Sequence, residues 1–123
     1  MRRVIGVDPG SRKTGYGIIE ISVSKIDYVT SGHISVDDEV FPKRLGIIYS
    51  EVLELATNYD VQEMAIEEVF LAKNPNSALK LGQARGVAIA AGIAKDLEIF
   101  EYAARQVKKT IVGKGGASKT QIQ

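Results

Sequence analysis

The sequence predicts an α/β fold in the order β-β-β-α-β-α-β, and three observations lead there. Two stretches that read as buried strands close on acidic residues, 3–8 on Asp8 and 61–67 on Glu67. Two longer stretches repeat their apolar or small residues at helical spacing. No Pro-, Gly- or Ser-rich linker and no repeat divides the 123 residues, which suit one domain.

Taken in order, residues 3–8 form the first strand and Pro9-Gly10-Ser11 a turn. Residues 14–21 and 26–35 continue as two more strands, and the three make an antiparallel meander. A loop holds Asp37, Asp38, Glu39 and Pro42. Leu45, Ile48, Val52, Leu55 and Tyr59 then recur every three or four residues, the stripe of an amphipathic helix. Strand 61–67 follows, then a loop over 73–76, then a second helix from Ser77, a plausible N-cap, to Leu97. Residues 98–102 read as a fifth strand, 107–112 as a short helix, 113–116 as a loop, and Ser118 as another helix start.

Composition narrows the class. A chain of this length buries ~65 % or more of its unfolded surface around one core. Cysteine is absent, which removes disulfides, thiolate zinc sites and cysteine nucleophiles. Met1-Arg2-Arg3 runs directly into strand pattern, and no stretch approaches the ~20 apolar residues of a membrane span, so a soluble cytoplasmic protein is expected. The net charge of +1 hides a segregation: residues 103–123 hold Arg105, Lys108, Lys109, Lys114 and Lys119 and no acid, and the remainder holds 11 basic against 15 acidic residues. A basic tail beside acidic strand ends suits a metal-dependent enzyme acting on a polyanion, and it equally suits a solvated terminus.

Ionisable groups at the ends of apolar strands are held rigidly where solvent begins. Burying them is costly unless a cation pairs with them, and a divalent ion is one such cation. Asp8 and Glu67 are therefore candidate metal ligands. Glu68 competes with Glu67, but neighbouring strand residues point to opposite faces, so both cannot easily reach one ion. The turn from Asp8 to Gly15 could face amides and Lys13 toward a phosphate, or be a plain hairpin. The second helix carries Ala78, Gly82, Ala84, Gly86, Ala88, Ala90, Ala91, Gly92 and Ala94. Such small bulk calls for another backbone close by, either the sheet of its own domain or a partner helix. His33, the single histidine, reads as structural.

Four ordered blocks carry a resemblance: Gly6-Val-Asp8-Pro-Gly-Ser-Arg-Lys-Thr-Gly-Tyr-Gly17, Ala65-Ile-Glu67-Glu-Val-Phe70, Asn76-Ser-Ala-Leu-Lys-Leu-Gly-Gln-Ala-Arg-Gly86 and Glu101-Tyr-Ala-Ala-Arg-Gln-Val-Lys108. Together, over nearly the whole chain, they resemble the RuvC family of bacterial Holliday-junction resolvases. The resemblance implies an RNase H-like fold with a mixed five-stranded sheet flanked by helices, and a homodimer that cuts symmetrically related strands of a four-way DNA junction. It implies two Mg2+ ions per active site, with Mn2+ as a plausible substitute, and a branch-migration motor as partner. By position, Asp8 and Glu67 match two of the four metal-binding carboxylates, Phe70 the aromatic that stacks on a base near the junction centre, and Lys108 and Lys119 basic residues that contact DNA. Arg105, in the same block, joins the expected DNA-binding set.

The family's other two carboxylates lie on a later helix in an Asp-Ala-x-Asp-Ala pattern, and the sequence reaches Gln123 first. The chain is therefore expected to be one RNase H-like nuclease domain, 1–123, lacking C-terminal helices. Two-metal hydrolysis uses ions ~3.5–4 Å apart, which two carboxylates rarely hold. With the acids restored, in-line attack on a junction phosphorus would expel the 3′-oxygen; without them, junction binding and dimerisation with little cleavage are expected. On sequence alone Phe70 reads as a buried aromatic; the resemblance turns it into a wedge, where stacking contributes ~1–3 kcal/mol per base. Two rivals remain: a noncatalytic junction-binding module, and a fragment of an actin- or sugar-kinase-like ATPase, which would need a second domain to close over nucleotide.

Overall fold

The computed structural model describes residues 1–10, 12–36, 39–68 and 74–102. Phe70, Arg105, Lys108 and Lys119, and the helices and loop expected beyond residue 103, lie outside the described residues. Within them the element order is the expected one: β1 (Arg2–Asp8), β2 (Lys13–Ile21), β3 (Ile26–Ser35), α1 (Phe41–Asn58), β4 (Glu63–Glu67), α2 (Pro75–Ala94) and β5 (Glu98–Tyr102). They build a five-stranded mixed sheet in the order β3-β2-β1-β4-β5. β1, β2 and β3 form the antiparallel meander, whereas β4 and β5 run parallel to β1. Each parallel step is bridged by a helix, as a crossover requires.

The strands have two chemically different faces. Ile5, Val7, Met64 and Ile66 are fully buried, and with Ile18 and Ile34 they meet Ile48, Val52 and Ala56 of α1 and Ala84, Ala88 and Ala91 of α2. The alternate residues of β1, β4 and β5 remain open or half-covered, among them Val4, Gly6, Asp8, Ala65, Glu67, Phe100 and Tyr102. The period of two thus sends hydrocarbon to the helices and the acidic strand ends to the other side.

Helix boundaries differ from expectation for local reasons. α1 starts at Phe41 and includes Pro42, which fits the first turn because its missing N–H would have no intrahelical partner there. α2 starts two residues before Ser77: Asn74 is the N-cap, its side chain accepts the Asn76 N–H at 2.8 Å, and Pro75 fixes the first helical φ. α2 ends at Ala94, and Asp96 turns the chain with φ 60° into β5. The Pro9–Gly10 turn is held by buried Thr14, whose hydroxyl donates to the Gly10 carbonyl at 3.1 Å. A Cβ on Gly10 would lie 2.2 Å from the Lys13 carbonyl oxygen, so this glycine answers a backbone approach, as the hairpin reading requires.

Candidate active site

β1 and β4 pair in parallel as Val4↔Glu63, Ile5↔Met64, Gly6↔Ala65 and Val7↔Ile66. One step further along that register stand Asp8 and Glu67, each the last residue of its strand. Register partners share a face, so both carboxylates lie at one edge of the sheet, on the side away from α1 and α2. Asp8 is exposed and Glu67 half-buried. Glu68 falls on the opposite parity, and its N–H donates to the Tyr102 carbonyl at 2.7 Å. Backbone geometry thus places Glu67, rather than Glu68, beside Asp8.

The same row continues across every strand. Asp8 pairs with Gly15 of β2, Gly15 with His33 of β3, and Glu67 with Tyr102 of β5. A Cβ on Gly15 would stand 3.7 Å from the Asp8 Cβ and 3.6 Å from the His33 Cδ2, so only the width of a bare glycine separates these side chains. His33, expected as a structural residue away from the acidic strand ends, instead flanks their row. On the other flank, burial raises the Tyr102 phenol above its ordinary pKa, and the negative charges of Glu67 and then Asp8 push it further in the same direction. The hydroxyl therefore stays protonated and able to donate at neutral pH. Spacing alone did not reveal either neighbour.

Arg85 is a third neighbour of the row to which the sequence analysis gave no role. It is the single charge between Lys80 and Lys95 in a helix of small and apolar residues, and that isolation was the available signal. Its guanidinium donates from Nε to the Glu67 carbonyl at 3.1 Å and lies 2.8 Å from Glu101 through Nη2.

Two carboxylates at one strand edge offer hard oxygen ligands that fit a hydrated divalent cation, and the sequence has no cysteine to favour a softer ion. Among the described residues no group of three or more His, Cys, Asp or Glu side chains converges on a metal position. No helix among the described residues is long and apolar enough to cross a membrane.

A mixed five-stranded sheet of this order, with helices packed on one face, is an RNase H-like fold, and its two central parallel strands end in carboxylates on the open face. The family described as crossover junction endodeoxyribonuclease RuvC matches residues 4–123, and the chain belongs to it. A relative of that name from Dichelobacter nodosus is 54% identical over 98% of this chain and 69% of its own length. One from Pectobacterium atrosepticum is 56% identical over 100% of this chain and 72% of its own. The solved structure described as T. thermophilus RuvC in complex with Holliday junction substrate superposes with a TM-score of 0.86 at 27% identity, covering 99% of this chain and 75% of that one.

Proposed function

We propose that this chain is a structure-selective endonuclease that resolves four-way DNA junctions during recombination and repair in the cytoplasm, by Mg2+-dependent hydrolysis of phosphodiesters. Mn2+ serves as a substitute. The observation that carries the reading is the β1–β4 register, which brings Asp8 and Glu67 to one edge of the open sheet face in a member of this family. The names of the relatives and the junction-bound Thermus structure support the substrate.

Asp8 and Glu67 would hold the cation, which when bound would supply charge stabilisation for the attacking and departing oxygens. The new bond joins a water oxygen to phosphorus in line with the bond to O3′, which breaks, leaving a 5′-phosphate and a 3′-hydroxyl. Glu67 is kept in Asp8's row by its strand pairing, and the neutral Tyr102 phenol can donate to a phosphate oxygen brought to that row. Phe70 stacks on a base near the junction centre, and Arg105, Lys108 and Lys119 contact the DNA backbone.

The working unit is a homodimer that partners a branch-migration motor. Leu79 and Ile93, exposed among the described residues, flank the outer side of α2, where a Cβ added to Gly82 or Gly86 would meet none of those residues within 4 Å. That surface leaves room for a second α2, while Ala84, Ala88 and Ala91 serve the chain's own core.

Synthetic four-way junctions with Mg2+ test the proposal, using the 123-residue chain beside a version continued with the C-terminal segment of the Dichelobacter relative. Paired nicks by the continued version, lost in its Asp8→Asn variant by on the order of 100-fold or more, are expected. Tight junction binding without any nicking by either version would favour a binding module over a nuclease.

A further inference from the structure

Arg85 projects from α2 beside buried Ala84 and Ala88, and only 19% of its side chain is exposed. A guanidinium in such surroundings destabilises the fold unless its donors are met. They are met at the ends of β4 and β5: Nε donates to the main-chain oxygen of Glu67 at 3.1 Å, and Nη2 lies 2.8 Å from Glu101 Oε1. Nε and one Nη form a single edge of the planar group, so one rigid fork reaches acceptors on two adjacent strands. The Glu68 N–H to Tyr102 carbonyl bond closes the same end at 2.7 Å.

Glu67 is the last residue of β4. Past it one ladder bond remains, from the Glu68 N–H to Tyr102, so the direction of the Glu67 side chain depends on that bond and on what holds the Glu67 carbonyl. We propose that Arg85 is a positioning residue for Glu67: from the helix side of the sheet it fixes the terminal peptide of β4, so that the Glu67 carboxylate stays in Asp8's row on the open face and is ready for a divalent cation. The inference rests on the reading of Asp8 and Glu67 as metal ligands. It adds a reason for a charge inside α2, and it makes cation affinity depend on a group that never touches the cation.

Mn2+ binding to the folded chain, followed by isothermal titration calorimetry well below Tm, tests this apart from cleavage. Arg85→Gln is expected to weaken Mn2+ binding about 10-fold, in the range that outer supports of metal ligands command. Arg85→Lys, with charge but no fork, should fall between that variant and the unchanged chain. Glu101→Gln should lose less than Arg85→Gln, because the bond to the Glu67 carbonyl survives. Val52→Ala, a core change in α1, supplies a destabilised chain with unaltered strand ends, and its Mn2+ affinity should not move.

Glu67→Gln separates the two levels of the argument. If it abolishes Mn2+ binding while Arg85→Gln and Arg85→Lys bind as tightly as the unchanged chain, Arg85 is a structural strut only and the positioning role is overturned. If Glu67→Gln binds normally, or the unchanged chain binds no Mn2+, the metal-ligand reading itself falls and the positioning role with it. Should Arg85→Gln fail to fold, the Lys variant decides: undiminished affinity in it overturns the proposal.

Discussion

At the scale of single residues, the row His33, Gly15, Asp8, Glu67 and Tyr102 shows which chemistry a sequence exposes and which it hides. Asp8 and Glu67 were legible because an acid ending an apolar run is conspicuous in one dimension. His33 was not, because its face depends on an irregularity. Ile19 pairs with Tyr28 and Ile18 with Thr30, so one residue of β3 is skipped between them. Extended without that bulge, the hairpin register would set Gly32 opposite Gly15 and turn His33 to the helix side, since a one-residue slip exchanges the faces of a strand. Tyr102 carries a prediction of its own. Its folded pKa lies above the unfolded value of about 10, so the native state holds the proton more tightly. The stability this contributes is fully present below the unfolded pKa and is lost as pH rises from there through the folded pKa. Absorbance titration at 295 nm should show one of the five tyrosines ionising late, and Tyr102→Phe should remove that phase. Loss of an earlier phase instead, with the late phase kept in the variant, would show that Tyr102 is not the phenol whose pKa is raised.

At the scale of elements, α2 illustrates how one composition can serve two opposite needs. The small residues called for a close neighbour without saying on which side, and the structure divides them. A Cβ on Gly92 would lie 2.9 Å from both the Ile99 Cδ1 and the Met64 Cε, so this glycine lets the helix settle onto β4 and β5. A Cβ on Gly86 would meet nothing within 4 Å among the described residues. Substitutions should therefore diverge in sign. Gly92→Val overpacks the seam and should destabilise by roughly 1–3 kcal/mol, whereas Gly86→Ala should stabilise by up to about 1 kcal/mol through helix propensity. Urea denaturation of both variants checks the pair; destabilisation of similar size in each would mean that the outer side of α2 is already packed. The strand and helix order was legible because buried hydrocarbon repeats at two or near 3.6 residues. Helix starts were less so, since Asn74 and Ser77 are equally able caps and only Pro75 distinguishes them.

For the whole molecule, resolving a junction demands two cuts, and one chain offers one row of carboxylates. The edge that holds Asp8 and Glu67 and the outer side of α2 lie on different faces of the fold, so two chains could join through α2 while each keeps its open sheet face free for DNA. Gly86→Leu tests this division. A Cβ there meets none of the described residues within 4 Å, so the fold of one chain should be kept, and Tm should fall only by what dimerisation contributes at the working concentration. Between two chains it would hold the α2 backbones apart, because close helix approach depends on small residues at the crossing. Sedimentation should then report monomers for the variant and dimers for the unchanged chain if the proposed contact is the right one. With the C-terminal segment supplied, junction cleavage should fall from paired nicks to occasional single ones, while Mn2+ affinity at Asp8 and Glu67 remains that of the unchanged protein. A Gly86→Leu protein that still sediments as a dimer and cuts both strands would place the dimer contact on another face, and leave the exposed stripe of Leu79, Gly82 and Ile93 without that role.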